Sequence, residues 1–468
     1  MNKRIQTALY ICADLCMAAL GWYLFFLYRK HIVEAGKHGY EVPVNHDIKL
    51  YLGLILIPLC WVLLYTATGF YRNIFRRSRL RDVQSTFTSS VVGILFIFFV
   101  LILDDSVANY RDYYLSLVVL FLLHFIPTLL LRLIITTRTI RKVQHRLWSF
   151  NTILVGTGNN AARLFAELES ARKSEGFRIV SVLREHAEES SGTLPSAGSW
   201  KELPERIRLT SAEDVILALD DKDHNLVPQI VDLIQNENVH LKIMPDSYGM
   251  VMGMVKMNNI LGAMLVEVDF EVMPQWQKTA KRIFDILFST LALVIASPFL
   301  LLIAIAIRAD SPGPVFFLQE RIGLKGKPFR IVKFRSMRVD AENAGPQLSR
   351  EHDKRHTRVG SFLRKTRLDE LPQFWNVLKG EMSVVGPRPE RQFFIDQIVT
   401  KAPYYLRLHR IKPGITSWGQ VKFGYAENVD QMVERMKYDI LYLENMSLGL
   451  DAKILIYTVL IMVQGRGK

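Results

Sequence analysis

The sequence predicts a membrane protein in three parts. These are a bundle of four membrane-spanning helices, a parallel α/β domain of Rossmann type, and a mainly α-helical domain with a re-entrant helix. Four long apolar segments fill the first third of the 468 residues. Alternating strand and helix signals follow. A fifth apolar run, with a proline near its centre, then precedes a basic C-terminal third. We place the parts at residues 1–140, 148–265 and 275–468.

Each of the four apolar segments is long enough to cross a hydrocarbon core of about 30 Å. Basic residues precede the first segment, crowd the short link between the second and third, and follow the fourth, whereas the link between the third and fourth leans acidic. By the positive-inside rule, both ends of the bundle face the cytoplasm. The predicted spans are residues 5–28, 51–70, 85–103 and 113–135.

Polar side chains interrupt the predicted spans at Asp14, His124 and Arg132. An ionisable group inside a membrane is a functional candidate. Contact between helices, or snorkelling of Arg132 toward the interface, is the structural alternative, and the sequence leaves both open. The cysteines show no metal-ligand spacing, so we expect small buried packing residues rather than a zinc site or a disulfide framework. They are Cys12, Cys16 and Cys60.

The middle third alternates short β-rich runs with helical patterns between residues 151 and 244, which predicts a parallel sheet. Its first strand leads into Gly156-Thr-Gly158, which resembles a dinucleotide-binding turn. Glycines there would let backbone N–H groups approach a pyrophosphate at a helix N-terminus. Gly156 and Gly158 are therefore a candidate nucleotide site, and Glu185 loosely matches the acidic ribose partner. The alternative is a structural or regulatory module whose glycines make a tight turn.

The fifth apolar run, residues 283–307, has basic residues at both ends. An ordinary span would place one of these basic clusters on the wrong side of the membrane. Ser297 and Pro298 lie near its centre, where the proline removes a backbone donor and the serine hydroxyl can satisfy a freed carbonyl. We therefore predict a helix that enters the membrane, turns at these two residues and leaves on the same face. The alternative is a kinked span.

A basic stretch follows this run. Residues 321–365 contain thirteen basic residues against four acidic ones. That density suits anionic headgroups and diphosphates, although a solvated basic face is the alternative for several of these residues. Nucleic acid is not an expected partner, because the stretch adjoins a membrane helix.

A pair of carboxylates is the sharpest feature of the chain. Asp369 and Glu370 precede Pro372, which suits the first turn of a helix that runs to Lys379 and stops at Gly380. The positive helix end and nearby Arg364 would keep a carboxylate ionised and hold phosphate oxygens. One carboxylate could attack phosphorus while the other binds a metal or assists proton removal. Helix capping is the alternative. Prolines on both sides of Arg388 fix it as a phosphate clamp or make a rigid turn.

The C-terminal third resembles the bacterial sugar transferase family, the monotopic polyprenyl-phosphate phosphoglycosyl transferases. The four spans and the α/β domain resemble its larger, polysaccharide-initiating members. The resemblance rests on motifs that occur in order from Lys281 almost to the C-terminus. They are Lys281-Arg-Ile-Phe-Asp285, Ser297-Pro298, Ser311-Pro-Gly-Pro, Gln319-Glu-Arg321, Lys333-Phe-Arg335-Ser-Met337, Leu368-Asp369-Glu370-Leu-Pro-Gln373, Gly386-Pro-Arg388-Pro389, Lys412-Pro-Gly414-Ile-Thr416 and Leu450-Asp451-Ala-Lys453.

The resemblance implies a ping-pong reaction at the cytoplasmic face of a bacterial inner membrane. Asp369 would attack the phosphorus that carries the sugar of a UDP-sugar, releasing UMP, and undecaprenyl phosphate would then accept the sugar-phosphate. Glu370 would bind Mg²⁺ and assist catalysis. The resemblance also implies four basic residues that bind substrate phosphates, the last two of them as structural or substrate supports: Arg364, Arg388, Lys333 and Arg335.

This reading makes the chain an enzyme of the first membrane step in exopolysaccharide, capsule or O-antigen synthesis. The sequence does not identify the sugar; glucose-1-phosphate and galactose-1-phosphate are the candidates by resemblance. The larger members also make a homodimer an expectation. Two other functions stay open. One is a membrane-bound nucleotide-sugar dehydratase or epimerase that uses the middle domain, and the other is a non-catalytic scaffold in polysaccharide assembly.

Overall fold

The computed structural model describes residues 3–38, 40, 43, 44, 46–102, 110–156, 158–184, 198–234, 237–244, 265–268, 273–339, 341, 355–424 and 426–464. These ranges form a helical N-terminal bundle, an α/β sheet and a C-terminal region that combines helices with two small sheets. The predicted ribose partner Glu185 and most of the acidic link between the third and fourth spans lie outside the described residues.

The N-terminal bundle contains four long apolar helices, as predicted. A π-helical turn, Arg29–Glu34, extends the first, and another, Phe98–Ile102, extends the third. Each of the four is long and apolar enough to cross a membrane, and one later helix shares this property. The crossings themselves stay a prediction. The helices are α1 (Lys3–Tyr28), α2 (Ile48–Ala67), α3 (Arg79–Ile97) and α4 (Tyr110–Gln144).

A buried ion pair joins the first and fourth helices. Arg132 donates from Nε to Asp14 Oδ1 at 2.8 Å and from Nη2 to Asp14 Oδ2 at 2.7 Å. The hydroxyl of Tyr71 donates to the same carboxylate, and Arg132 also donates to Thr86 Oγ1. These contacts place Asp14 and Arg132 between the helices. Contact between helices, one of the two alternatives that the sequence left open, is therefore what the structure contains.

The predicted burial of the cysteines was wrong. Cys12, Cys16 and Cys60 all have exposed side chains on the outer face of the bundle. The physical reason is that lipid around a membrane bundle is itself apolar, so burying a small apolar side chain between the helices gains little free energy. The bundle interior holds large apolar and aromatic side chains together with polar ones such as His124, whose ring stacks on Trp61 with centroids 3.7 Å apart.

The middle region contains a five-stranded sheet in the order β2-β1-β3-β4-β5. The four predicted strands are present and parallel, whereas β5 pairs antiparallel with β4 and was not predicted. Helices α5 (Gly158–Ser170), α6 (Leu203–Thr210) and α7 (Val227–Ile234) connect the strands. The strands are β1 (Phe150–Val155), β2 (Phe177–Leu183), β3 (Asp214–Leu217), β4 (His240–Ile243) and β5 (Val266–Val268).

The C-terminal region begins with the long helix α8 (Gln275–Asp310). An antiparallel hairpin of β6 (Phe316–Ile322) and β7 (Pro328–Phe334) follows it, and β8 (Ser383–Val385) pairs parallel with β9 (Gly414–Thr416). The expectation of a mainly helical domain overlooked the hairpin. The remaining helices are α9 (Arg358–Lys365), α10 (Gln373–Lys379), α11 (Gln392–Lys401), α12 (Trp418–Lys422), α13 (Val429–Glu444) and α14 (Leu448–Val463).

Helix α8 is one continuous helix, and Ser297 and Pro298 lie inside it. The Ser297 hydroxyl donates to Val294 O at 2.8 Å, as expected for a serine beside a proline. Many side chains along the middle of the helix are large, apolar and exposed, Leu291, Val294 and Phe299 among them. Its re-entrant course stays a prediction.

Both ends of α8 contact the same C-terminal region. Near its start, Lys281 Nζ donates to Val385 O at 2.9 Å and to Asp451 Oδ2 at 2.6 Å. Near its end, Ile307 is buried against Phe334 and Leu363. The two contacting residues, Lys281 and Ile307, lie about 39 Å apart along a straight helix. Both halves of α8 therefore pack on the same C-terminal region.

The three parts contact one another around the link between α2 and α3. Arg76 in this link donates from Nη1 to Asp214 Oδ1 at 2.5 Å and from Nη2 to Asp214 Oδ2 at 2.6 Å, at the start of β3. Thr279 at the start of α8 donates to Ala67 O. The link therefore touches both the sheet and the C-terminal region, which fixes how the bundle sits on the rest of the chain.

Candidate active site

Asp369 and Glu370 lie in a 3₁₀ turn, Leu368–Glu370, directly before α10. Pro372 is the N-cap of α10, and Gly380 ends it in the left-handed conformation with φ of 87°. Both helix signals in the sequence are therefore confirmed. The two carboxylates are buried, although each keeps a small exposed fraction. Burial at a helix start makes their charges sensitive to every neighbouring cation.

Two cations contact the second carboxylate. Strand β7 carries Lys333, whose Nζ lies 2.9 Å from Glu370 Oε1, and Arg388 Nη2 lies 3.6 Å from the same oxygen. Burial by itself would raise the pKa of Glu370, but Lys333 and Arg388 outweigh it and hold that pKa well below its usual range. Glu370 therefore stays ionised throughout the physiological pH range.

The first carboxylate behaves in the opposite way. Burial, together with the adjacent charge of Glu370, raises the pKa of Asp369 to about 6, although Lys333 and Arg364 partly oppose the shift. The two neighbours thus titrate far apart. At neutral pH Asp369 is mostly ionised, yet it is more basic than an ordinary carboxylate. An ionised oxygen of raised basicity suits a nucleophile.

The turn that carries Arg388 is held on both sides. Gly414 N donates to Pro387 O at 2.9 Å, and Arg321 Nη1 donates to Pro389 O at 3.1 Å. A Cβ at Gly386 would lie 2.4 Å from a backbone oxygen, so only glycine allows this close approach. The backbone around Arg388 is therefore fixed, as the two flanking prolines predicted.

Arg364 and Arg335, the other two predicted phosphate ligands, differ in their surroundings. The Arg364 side chain forms no hydrogen bond or ion pair with any residue in the described part of the chain, and its charge acts on Asp369. Arg335 instead donates to Pro312 O at 2.9 Å and to Ser311 O at 2.7 Å, at the end of α8. Its guanidinium thus ties the hairpin to the long helix. Phosphate binding by Arg364 stays a prediction.

The structure places these residues around one cavity of about 350 Å³. All six charged residues that the sequence analysis named for this site line the cavity: Asp369, Glu370, Lys333, Arg335, Arg364 and Arg388. Eight basic and three acidic side chains occur among the described lining residues. This excess of positive charge suits a ligand with several negative charges, such as a diphosphate.

Sequence reasoning missed a second layer of charge behind Arg388. Glu390 Oε2 lies 3.3 Å from Arg321 Nη1, and Glu390 Oε1 lies 2.6 Å from Arg435 Nη2. On α13, Asp439 accepts from Gly419 N at 2.8 Å, and burial raises its pKa to about 6. The spacing of Arg435 and Asp439, four residues apart on one helix face, was the available signal. No local pattern linked it to Glu390.

The carboxylate pair also fits a divalent cation. No group of three or more His, Cys, Asp or Glu side chains that could hold a metal occurs within the described residues. Mg²⁺, however, is usually held by one or two carboxylates together with substrate phosphates and water. Asp369 and Glu370 are such donors, and both contacts that the cations make with Glu370 use Oε1. These residues therefore fit an Mg²⁺ ion that arrives with a diphosphate.

The candidate nucleotide turn of the middle region packs against other residues of the chain. A Cβ at Gly156 would lie 2.1 Å from Ala218 O, so this glycine permits close packing beside the next strand. At the start of α5, which begins at Gly158, Asn160 N donates to Asp220 Oδ1 at 3.2 Å. A carboxylate of the chain thus lies where a pyrophosphate would bind. These contacts favour the structural alternative.

Two family models match the chain. One, described as bacterial sugar transferase, matches residues 276–465, which hold the whole cavity. The other, described as a CoA-binding domain, matches residues 66–245 and includes part of the bundle as well as most of the sheet.

Curated relatives match part of the chain. A UDP-N-acetylgalactosamine-undecaprenyl-phosphate N-acetylgalactosaminephosphotransferase of Aeromonas hydrophila is 46% identical over 40% of this chain and 44% of its own. A UDP-glucose:undecaprenyl-phosphate glucose-1-phosphate transferase of Escherichia coli is 33% identical over 66% of this chain and 68% of its own. One with the same description from Klebsiella pneumoniae is 34% identical over 62% of this chain and 64% of its own. The chain therefore spans less than half of one relative and about two thirds of the others.

Proposed function

Because the chain belongs to the bacterial sugar transferase family, we propose that it transfers a hexose-1-phosphate from a UDP-sugar to undecaprenyl phosphate. The products are a polyprenyl diphosphate sugar and UMP. The observation that carries the proposal is the pair Asp369 and Glu370 in a cavity with an excess of basic side chains. The segments that line the cavity follow α8 in the chain, and the exposed surface of α8 is apolar. This arrangement suits an enzyme that transfers a sugar-phosphate from a soluble nucleotide to a lipid.

The first half-reaction uses Asp369 as the nucleophile. A carboxylate oxygen of Asp369 forms a bond to the phosphorus that carries the sugar, and the bond from that phosphorus to the bridging oxygen breaks. UMP leaves with the electron pair and the bridging oxygen. Arg364 and Arg388 bind the phosphate oxygens on which charge is concentrated, because a guanidinium matches phosphate geometry. The result is an acyl phosphate, in which the carboxylate of Asp369 is bonded to the phosphorus of the sugar-phosphate.

The second half-reaction regenerates the carboxylate. A phosphate oxygen of undecaprenyl phosphate forms a bond to the same phosphorus, and the bond to Asp369 breaks. The carboxylate takes back its electron pair, and a diphosphate remains on the lipid. Lys333 keeps Glu370 ionised and fixed beside this centre. Mg²⁺ held by Glu370 would supply positive charge for the phosphate oxygens of the nucleotide.

The proposed location is the cytoplasmic face of a bacterial inner membrane, where nucleotide sugars are available. Both ends of α8 contact the region that contains the cavity, which supports a re-entrant helix. The four helices of the bundle would anchor the chain, with basic residues at their cytoplasmic ends. We place the reaction at the start of exopolysaccharide, capsule or O-antigen assembly.

The test is UMP release by purified full-length protein in nanodiscs with Mg²⁺ and undecaprenyl phosphate. The sugar panel contains UDP-glucose, UDP-galactose and UDP-N-acetylgalactosamine, since relatives use glucose and N-acetylgalactosamine donors. We expect release with one of them, coupled to a new lipid-linked sugar, and its loss in Asp369→Asn. Asp430→Asn, at an exposed position on α13, is the matched control and keeps full activity.

Each other outcome rejects a part of the proposal. UMP release that survives Asp369→Asn removes Asp369 from the nucleophilic role. An absence of lipid-linked sugar with every donor, in the assay and in cells that carry the wild-type chain, leaves the scaffold as the function. Bound NAD in the purified protein would support the dehydratase or epimerase.

A further inference from the structure

The cavity has an apolar end beside its charged centre. Phe317 on β6 pairs across the hairpin with Lys333 on β7, the lysine that contacts Glu370. Residues opposite each other in an antiparallel pair project to the same face, with Cβ atoms about 5 Å apart. Phe317 therefore lies on the face that holds the carboxylates, and its ring lines the cavity.

Along β6, this face changes from apolar to charged. Phe317, Gln319 and Arg321 alternate along the strand, and all three line the cavity. They span about 13 Å from the apolar to the cationic end. Phe317 is 40% exposed, whereas Arg321 is largely enclosed by its contacts with Pro389 and Glu390. A ligand with a charged head and an apolar tail would therefore have one favoured orientation along this strand.

The helix that precedes this hairpin, α8, also carries an exposed apolar surface. Phe299, Leu302 and Ile305 are exposed along the second half of that helix. Arg335 holds the carbonyls of Ser311 and Pro312 between the helix and β6, so the hairpin is fixed to the helix end. Apolar surface of this extent is unfavourable in water. Lipid that covers this surface would therefore lie close to the hairpin that carries Phe317 and Lys333.

We propose that the isoprenoid chain of the carrier lipid enters the cavity over Phe317 and the exposed Val339, which delivers the lipid phosphate to Asp369. This inference rests on the proposed function and adds the direction from which the acceptor enters. The nucleotide sugar then occupies the opposite, arginine-lined end near Arg321 and Arg391. The isoprenoid chain and the nucleoside then lie toward different ends of one cavity.

The test separates the two half-reactions in full-length protein in nanodiscs. Exchange of labelled UMP into the UDP-sugar needs no lipid and reports the first half-reaction. Transfer to undecaprenyl phosphate reports both. For Phe317→Ser we expect kcat/KM for undecaprenyl phosphate to fall about tenfold, through KM, and to fall at least five times more than the exchange rate. Phe317→Leu keeps an apolar side chain and stays within about twofold of wild type.

Leu318→Ser is the matched control. Leu318 is the next residue of β6, is 54% exposed, and is not among the described lining residues. A general loss of membrane contact would lower kcat/KM for the lipid equally in Leu318→Ser and Phe317→Ser. That result would overturn the proposal. If the UMP exchange rate of Phe317→Ser falls as much as its transfer to the lipid, Phe317 contacts the nucleotide sugar instead, and the proposal is wrong. A short water-soluble prenyl phosphate should lose the dependence on Phe317, and equal dependence would contradict a contact with the isoprenoid chain.

Failure of the inference and failure of the proposed function differ in the wild type. If wild-type protein makes lipid-linked sugar while Phe317→Ser retains its KM for the lipid, only the entry route is wrong. If wild-type protein makes no lipid-linked sugar from any donor, the proposed function itself fails.

Discussion

The amino group of Lys333 lies 2.9 Å from Oε1 of Glu370, although 36 residues of chain separate the two in the sequence. This contact joins the β6–β7 hairpin to the turn that holds both carboxylates. It keeps Glu370 ionised, and the charge of Glu370 in turn raises the pKa of Asp369. Lys333, together with Arg388, thus keeps Glu370 charged beside Asp369, and the following predictions test that arrangement.

Replacement of Asp369 by Asn should stabilise the fold while it abolishes activity. A carboxyl whose folded-state pKa is raised binds its proton more tightly when folded, so its charge costs stability above the folded pKa of about 6. We expect the melting temperature of Asp369→Asn to exceed that of wild type by a few degrees at pH 8. The difference should shrink as pH falls from about 6 toward 4. An Asn variant that melts lower at pH 8 would contradict the burial cost.

The pH profile of UMP release should fall on the acid side near pH 6, where Asp369 becomes protonated. Lys333→Met removes a cation that lowers the pKa of Asp369, so this acid limb should move to higher pH. Activity at pH 8 should also fall by about 10²- to 10³-fold, because Glu370 loses its partner. Lys327→Met, at an exposed position on the same hairpin, should leave the profile unchanged. If the acid limb of the pH profile does not shift in Lys333→Met, the proposed charge coupling between Lys333 and Asp369 is wrong.

Chelation of Mg²⁺ should abolish UMP release, and readdition should restore it. In Glu370→Gln, the Mg²⁺ concentration for half-maximal activity should rise by about tenfold or more, because an amide oxygen binds Mg²⁺ more weakly than a carboxylate. A titration of activity with Mg²⁺ measures this shift, with Glu434→Gln on the exposed face of α13 as control. If Glu370→Gln and wild type depend equally on Mg²⁺, Glu370 is not a metal ligand, and Asp369 or the substrate alone holds the ion.

The ion pair of Asp14 and Arg132 should matter for stability. Asp14→Asn leaves the Arg132 charge buried without its carboxylate, which costs about 3 to 5 kcal/mol. We expect a lower melting temperature in detergent, measured by thermal unfolding. UMP release per folded molecule should stay near the wild-type value. Cys12→Ser, exposed on the same helix, is the control and should melt with the wild type. Selective loss of catalysis in folded Asp14→Asn would instead favour a functional role for this pair.

Much of the fold followed from local patterns. The apolar lengths predicted the five long helices, and the alternation of signals predicted four parallel strands. Pro372 and Gly380 correctly bounded α10, because caps and turns depend on a few neighbouring residues. The antiparallel strand β5 and the β6–β7 hairpin were not predicted. Strand β5 is only three residues long, and the two hairpin strands lie in a region whose apolar and basic residues suggested helices.

The sequence by itself determined the local elements and the residue types of the site, since helix length, turns and the Asp-Glu pair depend on neighbours along the chain. Tertiary structure alone decided which partners meet. It brings Lys333 to Glu370 and Arg435 to Glu390, and it turns the cysteines outward. Contacts between distant residues depend on how the elements pack, and burial together with those partners sets their charges. The physical reason is that a long-range pairing leaves no periodic trace in a single sequence.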